Sequence, residues 1–187
     1  LDFGKINSNW KFLIENFIEP YHVQFVHKTT TNQPLKDHYT IVDGICYGSG
    51  VDVKEEDNKN SDALSVSSRY LSLFPNFIIG TYYPNQIGVY LNIPINPSVT
   101  SQKRIIYTTN GKVMTKEESD LAKKIWWSVH KEDHEICERL QEGRASPASN
   151  EGGLLSPYWE KGVKAFQKLI IQETMKSSKS MKRKKNV

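Results

Sequence analysis

The sequence predicts an α+β fold, one antiparallel sheet flanked by helices. Three observations carry this reading. Apolar residues recur at three- and four-residue spacing over 9–27 and again over 115–142, as they do on a helix with one buried face. From about 38 to 109 the chain turns to β-branched and aromatic runs bounded by Gly, Pro and Asn, which is the pattern of short strands. One sheet with helices set against it is the α+β class.

In the first helix Trp10, Leu13, Ile14, Phe17 and Ile18 share a face, and Asn7, Ser8 or Asn9 is placed to cap the start. Pro20 removes a backbone hydrogen bond and should kink or break this helix. Residues 28–37 are polar and turn-rich. The runs HYTIVDGICYG, ALSVSSRYLSLF, NFIIGTYY, GVYLNIPI and KRIIYTT then read as about five strands. Pro75-Asn76 and Pro84-Asn85 mark tight turns, and 53–62 is a charged loop. Thr115 to Glu142 is the clearest helix. Its TKEE start is a capping box, Gly143 is its expected stop, and Leu121, Ile125, Val129, Ile136 and Leu140 supply its stripe. After a loop over 144–153, Ser156-Pro157 opens a last helix.

Composition narrows the class. The chain has 187 residues, of which 37% are hydrophobic and 25% charged, as in one soluble globular domain. No apolar run reaches the roughly 20 residues of a membrane helix, and no signal peptide opens the sequence. Cys46 and Cys137 stand far apart. They suit reduced thiols in a cytoplasm, and two cysteines are too few for a four-Cys zinc site or a Cys-ligated iron–sulfur cluster. The net charge of +4 resides in a basic tail, 176–187, with six Lys or Arg and no acid. That tail reads as disordered and solvated rather than as a nucleic-acid arm, so the expected domain is 1–175.

The stretch ENFIEPYHVQFVH, 15–27, carries the chemistry. His22 and His27 are five residues apart, which on an ideal helix is not one face. Either they do not share a site, or the helix is distorted between them, beginning at Pro20. A third ligand is available on the long helix, where Glu132 and Asp133 stand beside the apolar stripe. Asp133 lies on or near the core side, and a buried carboxylate is costly unless paired or bound to a metal. Two His and one carboxylate with open positions is the facial triad of non-haem Fe(II) oxygenases. His130 and His134, four apart, could bind a metal themselves but read as mostly solvated helix residues.

The order of these motifs resembles the catalytic domain of Rieske-type non-haem iron oxygenases, the aromatic-ring-hydroxylating dioxygenase α subunits and their relatives. Asn9-Trp10-Lys11, Glu15-Asn16, Glu19, His22 and His27 match the family's opening. LFPNFIIGTYYP matches its mid-sheet segment, EDHEICERLQEG its ligand-bearing helix and LLSPYWEKGVKAF its C-terminal stretch. The resemblance spans nearly the whole chain. It implies a helix-grip, START-like fold and an oxidoreductase of aromatic compound catabolism. It implies a mononuclear Fe(II) held by His22, His27 and Asp133, with Asn16 close by. Glu19 would be the carboxylate that relays electrons from a Rieske [2Fe–2S] cluster on a neighbouring subunit. Most of the family has Asp there; Glu occurs in relatives that oxidise carnitine-like quaternary amines, which keeps a quaternary ammonium substrate open.

The resemblance further implies O₂ and a small organic substrate, a reductase or ferredoxin, and a trimeric parent protein. The Cys-x-His and Cys-x-x-His of a Rieske domain do not occur in this sequence, so the cluster is expected on a missing domain or neighbouring subunit. The rival reading is a metal-free helix-grip module that holds an apolar ligand among Trp126, Trp127, Tyr70, Phe74, Tyr82 and Tyr83. Plain core packing competes for most of those aromatics. Trp126 and Trp127, adjacent on a helix, cannot both face the core.

Overall fold

The computed structural model describes residues 1–31, 33–53, 67–82 and 85–185, the side chains of 178–185 excepted. The chain opens on strand β1 (Asp2–Ile6), followed by helix α1 (Trp10–Ile18) and the single-turn helix α2 (Val23–Val26). Strands β2 (His38–Asp43), β3 (Cys46–Val51), β4 (Ser68–Leu73), β5 (Phe77–Tyr82), β6 (Gln86–Asn96) and β7 (Val99–Thr108) follow. Helix α3 (Lys116–Ala145) and helix α4 (Lys161–Lys185) complete the fold. The strands form one antiparallel sheet in the order β1-β7-β6-β5-β4-β3-β2.

The α+β class therefore holds, with seven strands among the described residues where the sequence predicted about five. β1 was missed because only Phe3 and Ile6 of its five residues are apolar; it exists by pairing with β7, Ile6 opposite Thr100. The turn at Pro75-Asn76 lies where expected, between β4 and β5. Residues 54–62 of the charged loop, together with Tyr83 and Pro84, lie outside the described residues.

Alternation on the central strands gives the sheet two faces. Ile78 and Tyr82 of β5, Tyr90 and Asn92 of β6, and Gln102 and Arg104 of β7 are buried, whereas Phe77, Leu91, Ile105 and Tyr107 are exposed. The helices cover the first face. One core cluster joins Ile14 and Ile18 of α1 to Tyr47, Ile78, Tyr90, and to Val163 and Phe166 of α4. A second sets Ala122, Trp126 and Val129 of α3 against Tyr82. α4 packs near β3 at Gly162, where a Cβ would make ordinary van der Waals contact with the Gly48 nitrogen at 3.7 Å.

Helix ends follow local chemistry. The Asn9 side chain accepts a hydrogen bond from the Lys11 N–H at 3.0 Å and starts α1. The Thr115–Glu118 capping box forms as predicted. Gly143 does not stop α3, which runs on to Ala145 and ends before Ser146-Pro147, where proline excludes the helical conformation. α4 begins at Lys161, later than the predicted Ser156-Pro157. There the Ser156 hydroxyl instead accepts the Trp159 N–H and the Glu160 carboxylate accepts the Ser156 N–H, fixing a turn. The backbone of α4 continues to Lys185. Lys, Arg and Met are good helix formers and no Gly or Pro interrupts them.

Neither cysteine is in a disulfide, and Cys137 is buried. No helix among the described residues is long and apolar enough to cross a membrane.

One buried group ties stability to pH. Burial holds the His38 imidazole down to about 4, against the Gln33 backbone carbonyl, which favours its charge. The unfolded chain takes up this proton near pH 6.5 and the folded chain does not. Stability contributed by the neutral ring is therefore present above pH 6.5 and lost as pH falls toward 4. The melting temperature is expected to fall over that window, and His38→Gln should flatten the fall. An unchanged slope in the variant would exclude His38 as the source.

Candidate metal centre

Of the two alternatives for His22 and His27, the distorted helix is the one found. α1 ends at Ile18, and Glu19 is extended at φ −107°, ψ 141°. The residue before a proline is pushed out of the helical region, so Pro20 sets this break. α2 then restarts for one turn, with His22 at its N-terminal and His27 at its C-terminal boundary. The break brings the two rings to 5.2 Å between centres.

Asp133 meets them from the middle of α3. The buried face of this helix is rotated from the predicted stripe: Ala122, Trp126, Val129, His130 and Cys137 are buried, whereas Leu121 and Leu140 are exposed. Packing against both the sheet and α1 selects that face, and Asp133 falls on it. Its Oδ1 lies 3.1 Å from His27 Nε2 and 3.5 Å from His22 Nε2. One ligand atom from each of the three residues fits within 4.8 Å of the others.

Each imidazole is held through its other nitrogen. His22 Nδ1 lies 2.6 Å from Glu19 Oε1, while Glu19 Oε2 accepts the His22 backbone N–H at 3.0 Å. His27 Nδ1 lies 2.7 Å from Glu132 Oε2, which also accepts the Thr30 hydroxyl. Carboxylates at Nδ1 fix the tautomer and aim Nε2, as around metal-bound histidines generally. Asn16 Nδ2 donates to Asp133 Oδ1 at 2.8 Å. All five residues singled out in the sequence thus meet at one place.

The electrostatics suit a cation. Burial disfavours charge on His22, but Glu19 and Asp133 outweigh it and raise its pKa. Burial opposes charge on His27 too, yet Asp133 and Glu132 push it up to about 9. Burial alone would raise Asp133; the imidazoles instead hold its carboxyl well below the usual range. The surrounding carboxylates, which hold protons on these rings, provide the same compensation for a divalent ion. Two imidazole nitrogens and one carboxylate oxygen are a donor set suited to Fe(II), with coordination positions left over.

His130 and His134 are not the solvated residues the sequence predicted. His130 is buried, with Nε2 3.2 Å from Arg104 Nη1. His134 Nε2 lies 3.0 Å from Gln102 Oε1. Both face the polar inner side of β7, which the apolar stripe could not reveal. Glu132 was seen only as a neighbour of Asp133, and its hold on His27 depends on the path of 22–30. Of the rival module's aromatics, Tyr70, Tyr82 and Trp126 do line a cavity with His22, His27 and Asp133, as does Tyr90. Trp126 is buried and Trp127 exposed, as their adjacency requires.

The family profile described as ring hydroxylating alpha subunit (catalytic domain) matches residues 3–176. The chain belongs to that family. A choline monooxygenase of Atriplex hortensis is 28% identical over 162 residues, 86% of this chain and 36% of its own length. That of Spinacia oleracea is 26% identical over 176 residues, 91% and 39%. The chain spans little more than a third of these relatives. Both are described as chloroplastic, whereas a cytoplasmic location was expected from the sequence.

Among solved structures, a quaternary ammonium Rieske monooxygenase in complex with L-carnitine has a TM-score of 0.69 at 16% identity, over 92% of this chain and 47% of that one. Dicamba monooxygenase bound to dicamba has a TM-score of 0.69 at 14% identity, over 95% and 59%. The α+β fold expected from the sequence is the fold of these oxygenase domains.

Proposed function

We propose that this chain is the mononuclear iron domain of an oxidoreductase that hydroxylates a small organic substrate with O₂. One observation carries the reading: His22, His27 and Asp133, far apart in sequence, bring their donor atoms within 4.8 Å of one another. Fe(II), when held there, supplies O₂ activation at positions these three ligands leave open. The other residues have their own tasks. Glu132 and Glu19 aim the imidazoles, and Asn16 orients the Asp133 carboxylate. Phe17, Val23 and Val129 give the cavity apolar walls that exclude water.

Glu19, in contact with His22, is assigned the path for electrons from a [2Fe–2S] cluster. That cluster is assigned to a Rieske domain elsewhere in a longer protein or on a neighbouring subunit, fed by a reductase or ferredoxin. A homotrimer is the assembly this reading expects. One of the structural neighbours is described in terms of inter-subunit electron transfer, which supports the arrangement. An aromatic compound is the first substrate class in this reading, for mono- or dioxygenation. A second reading, a quaternary ammonium substrate, is favoured by the choline monooxygenases among the relatives.

The test is iron content after anaerobic loading with Fe(II) and desalting. About one iron per chain is expected, and His22→Ala should lose most of it. A folded wild-type protein that retains no iron would overturn the proposal and leave the metal-free ligand-binding module in its place.

A further inference from the structure

Tyr82, Tyr90 and Trp126 line the same cavity as the three candidate ligands. Their rings already converge on a cation, and it belongs to the chain itself. The Arg104 Cζ lies 3.5 Å from the Trp126 ring centre, 4.8 Å from that of Tyr90 and 5.1 Å from that of Tyr82. Arg104 is 1% exposed. A Cβ on Gly88 would fall 2.7 Å from its Nη2, so the guanidinium packs against bare backbone of β6 as well as against the Trp126 indole. Among the described residues no carboxylate forms an ion pair with it. Nη1 donates to His130 Nε2, and Nε and Nη2 have no hydrogen-bond partner. The charge is held by π faces in place of a counter-ion.

We infer that Arg104, behind the Tyr82, Tyr90 and Trp126 rings, sets the charge preference of the aromatic wall of this cavity and makes that wall, as distinct from the Glu19 and Asp133 carboxylates at the metal centre, reject the cationic group of a substrate. The three-ring box that would bind an ammonium group is filled by the guanidinium. A second cation on the cavity side would compete for the same π electrons and be repelled across the ring, which at ordinary protein screening costs at least about tenfold in affinity. The group a substrate turns toward this wall is therefore neutral. The inference rests on reading the cavity as the substrate site, and it runs against a quaternary ammonium substrate.

The test compares two ligands of one shape, choline and 3,3-dimethyl-1-butanol, in which carbon replaces the charged nitrogen. Binding to the Fe(II)-loaded chain is read by ligand-observed NMR, with iron content measured on the same samples. The neutral alcohol is expected to bind at least about tenfold tighter than choline. Arg104→Met should remove the preference, and Arg104→Lys, which keeps the charge, should retain it. Choline binding as tightly as the alcohol, or no binding of the alcohol, would overturn the inference. So would an unchanged ratio in a folded Arg104→Met variant. If that variant does not fold, the wild-type ratio and the Lys variant still decide. Iron bound without a charge preference sinks this inference alone, whereas the preference without iron sinks the iron reading alone.

Discussion

Asp133→Ala is expected to reduce bound Fe(II) from about one per chain to background while the chain stays folded. Asp133 supplies the one anionic ligand of the three, and its Oδ1 faces Nε2 of both histidines. Without it two neutral imidazoles on a short, irregular segment remain, a weak site for a hard divalent ion. The cost to folding is smaller. Asp133 anchors no hydrophobic cluster; the nearby packing comes from Trp126, Val129 and Cys137. What is lost is the hydrogen bond from Asn16 and the charge partner of His27, about 1–3 kcal/mol in the metal-free chain, partly offset because a buried carboxylate no longer has to be desolvated. The checks are iron analysis and thermal melting of metal-free wild type and variant. Full iron occupancy in Asp133→Ala would remove the triad. A global loss of structure would show instead that the carboxylate is structural.

The sequence was most informative where local chemistry decides the conformation. Pro20 both predicts and produces the break that brings two histidines at i and i+5 together. The capping box at Thr115 likewise fixes the start of α3. It was least informative where a residue's surroundings come from a distant strand. His130 and His134 look solvated on a charged helix, and only the register of β7 shows that Arg104 and Gln102 meet them. The buried face of α3 was misjudged for the same reason: Leu121 and Leu140 fit the period, but the sheet and α1 cover the neighbouring face. β1 was invisible because its pairing partner, not its composition, makes it a strand. The proposed ligands His22, His27 and Asp133 were legible through the family resemblance, whose motifs contain them, whereas spacing alone left the pairing of the two histidines open. The hold of Glu132 on His27 was not legible, because Glu132 was read beside the apolar stripe only as a neighbour of Asp133 and its partner lies 105 residues away in sequence.

Glu19→Gln is expected to leave iron in place and to lower turnover about 10–100-fold when the Fe(II)-loaded chain is supplied with a Rieske [2Fe–2S] donor. Glu19 has two separable duties in this site. One is to orient His22, by accepting at Oε1 from Nδ1 and at Oε2 from the backbone N–H. The other is the proposed passage of electrons toward the metal. Glutamine keeps the length and one acceptor oxygen, so it preserves much of the first duty while removing the negative charge on which the second depends. The two predict different patterns. If orientation were all, iron affinity and turnover would fall together, because a misaimed Nε2 weakens the ligand itself. If Glu19 conducts, iron affinity stays near wild type and the loss appears as slow reoxidation of the reduced donor cluster in single-turnover experiments. Retained iron with undiminished cluster reoxidation would take the relay away from Glu19 and leave it as a positioning residue for His22.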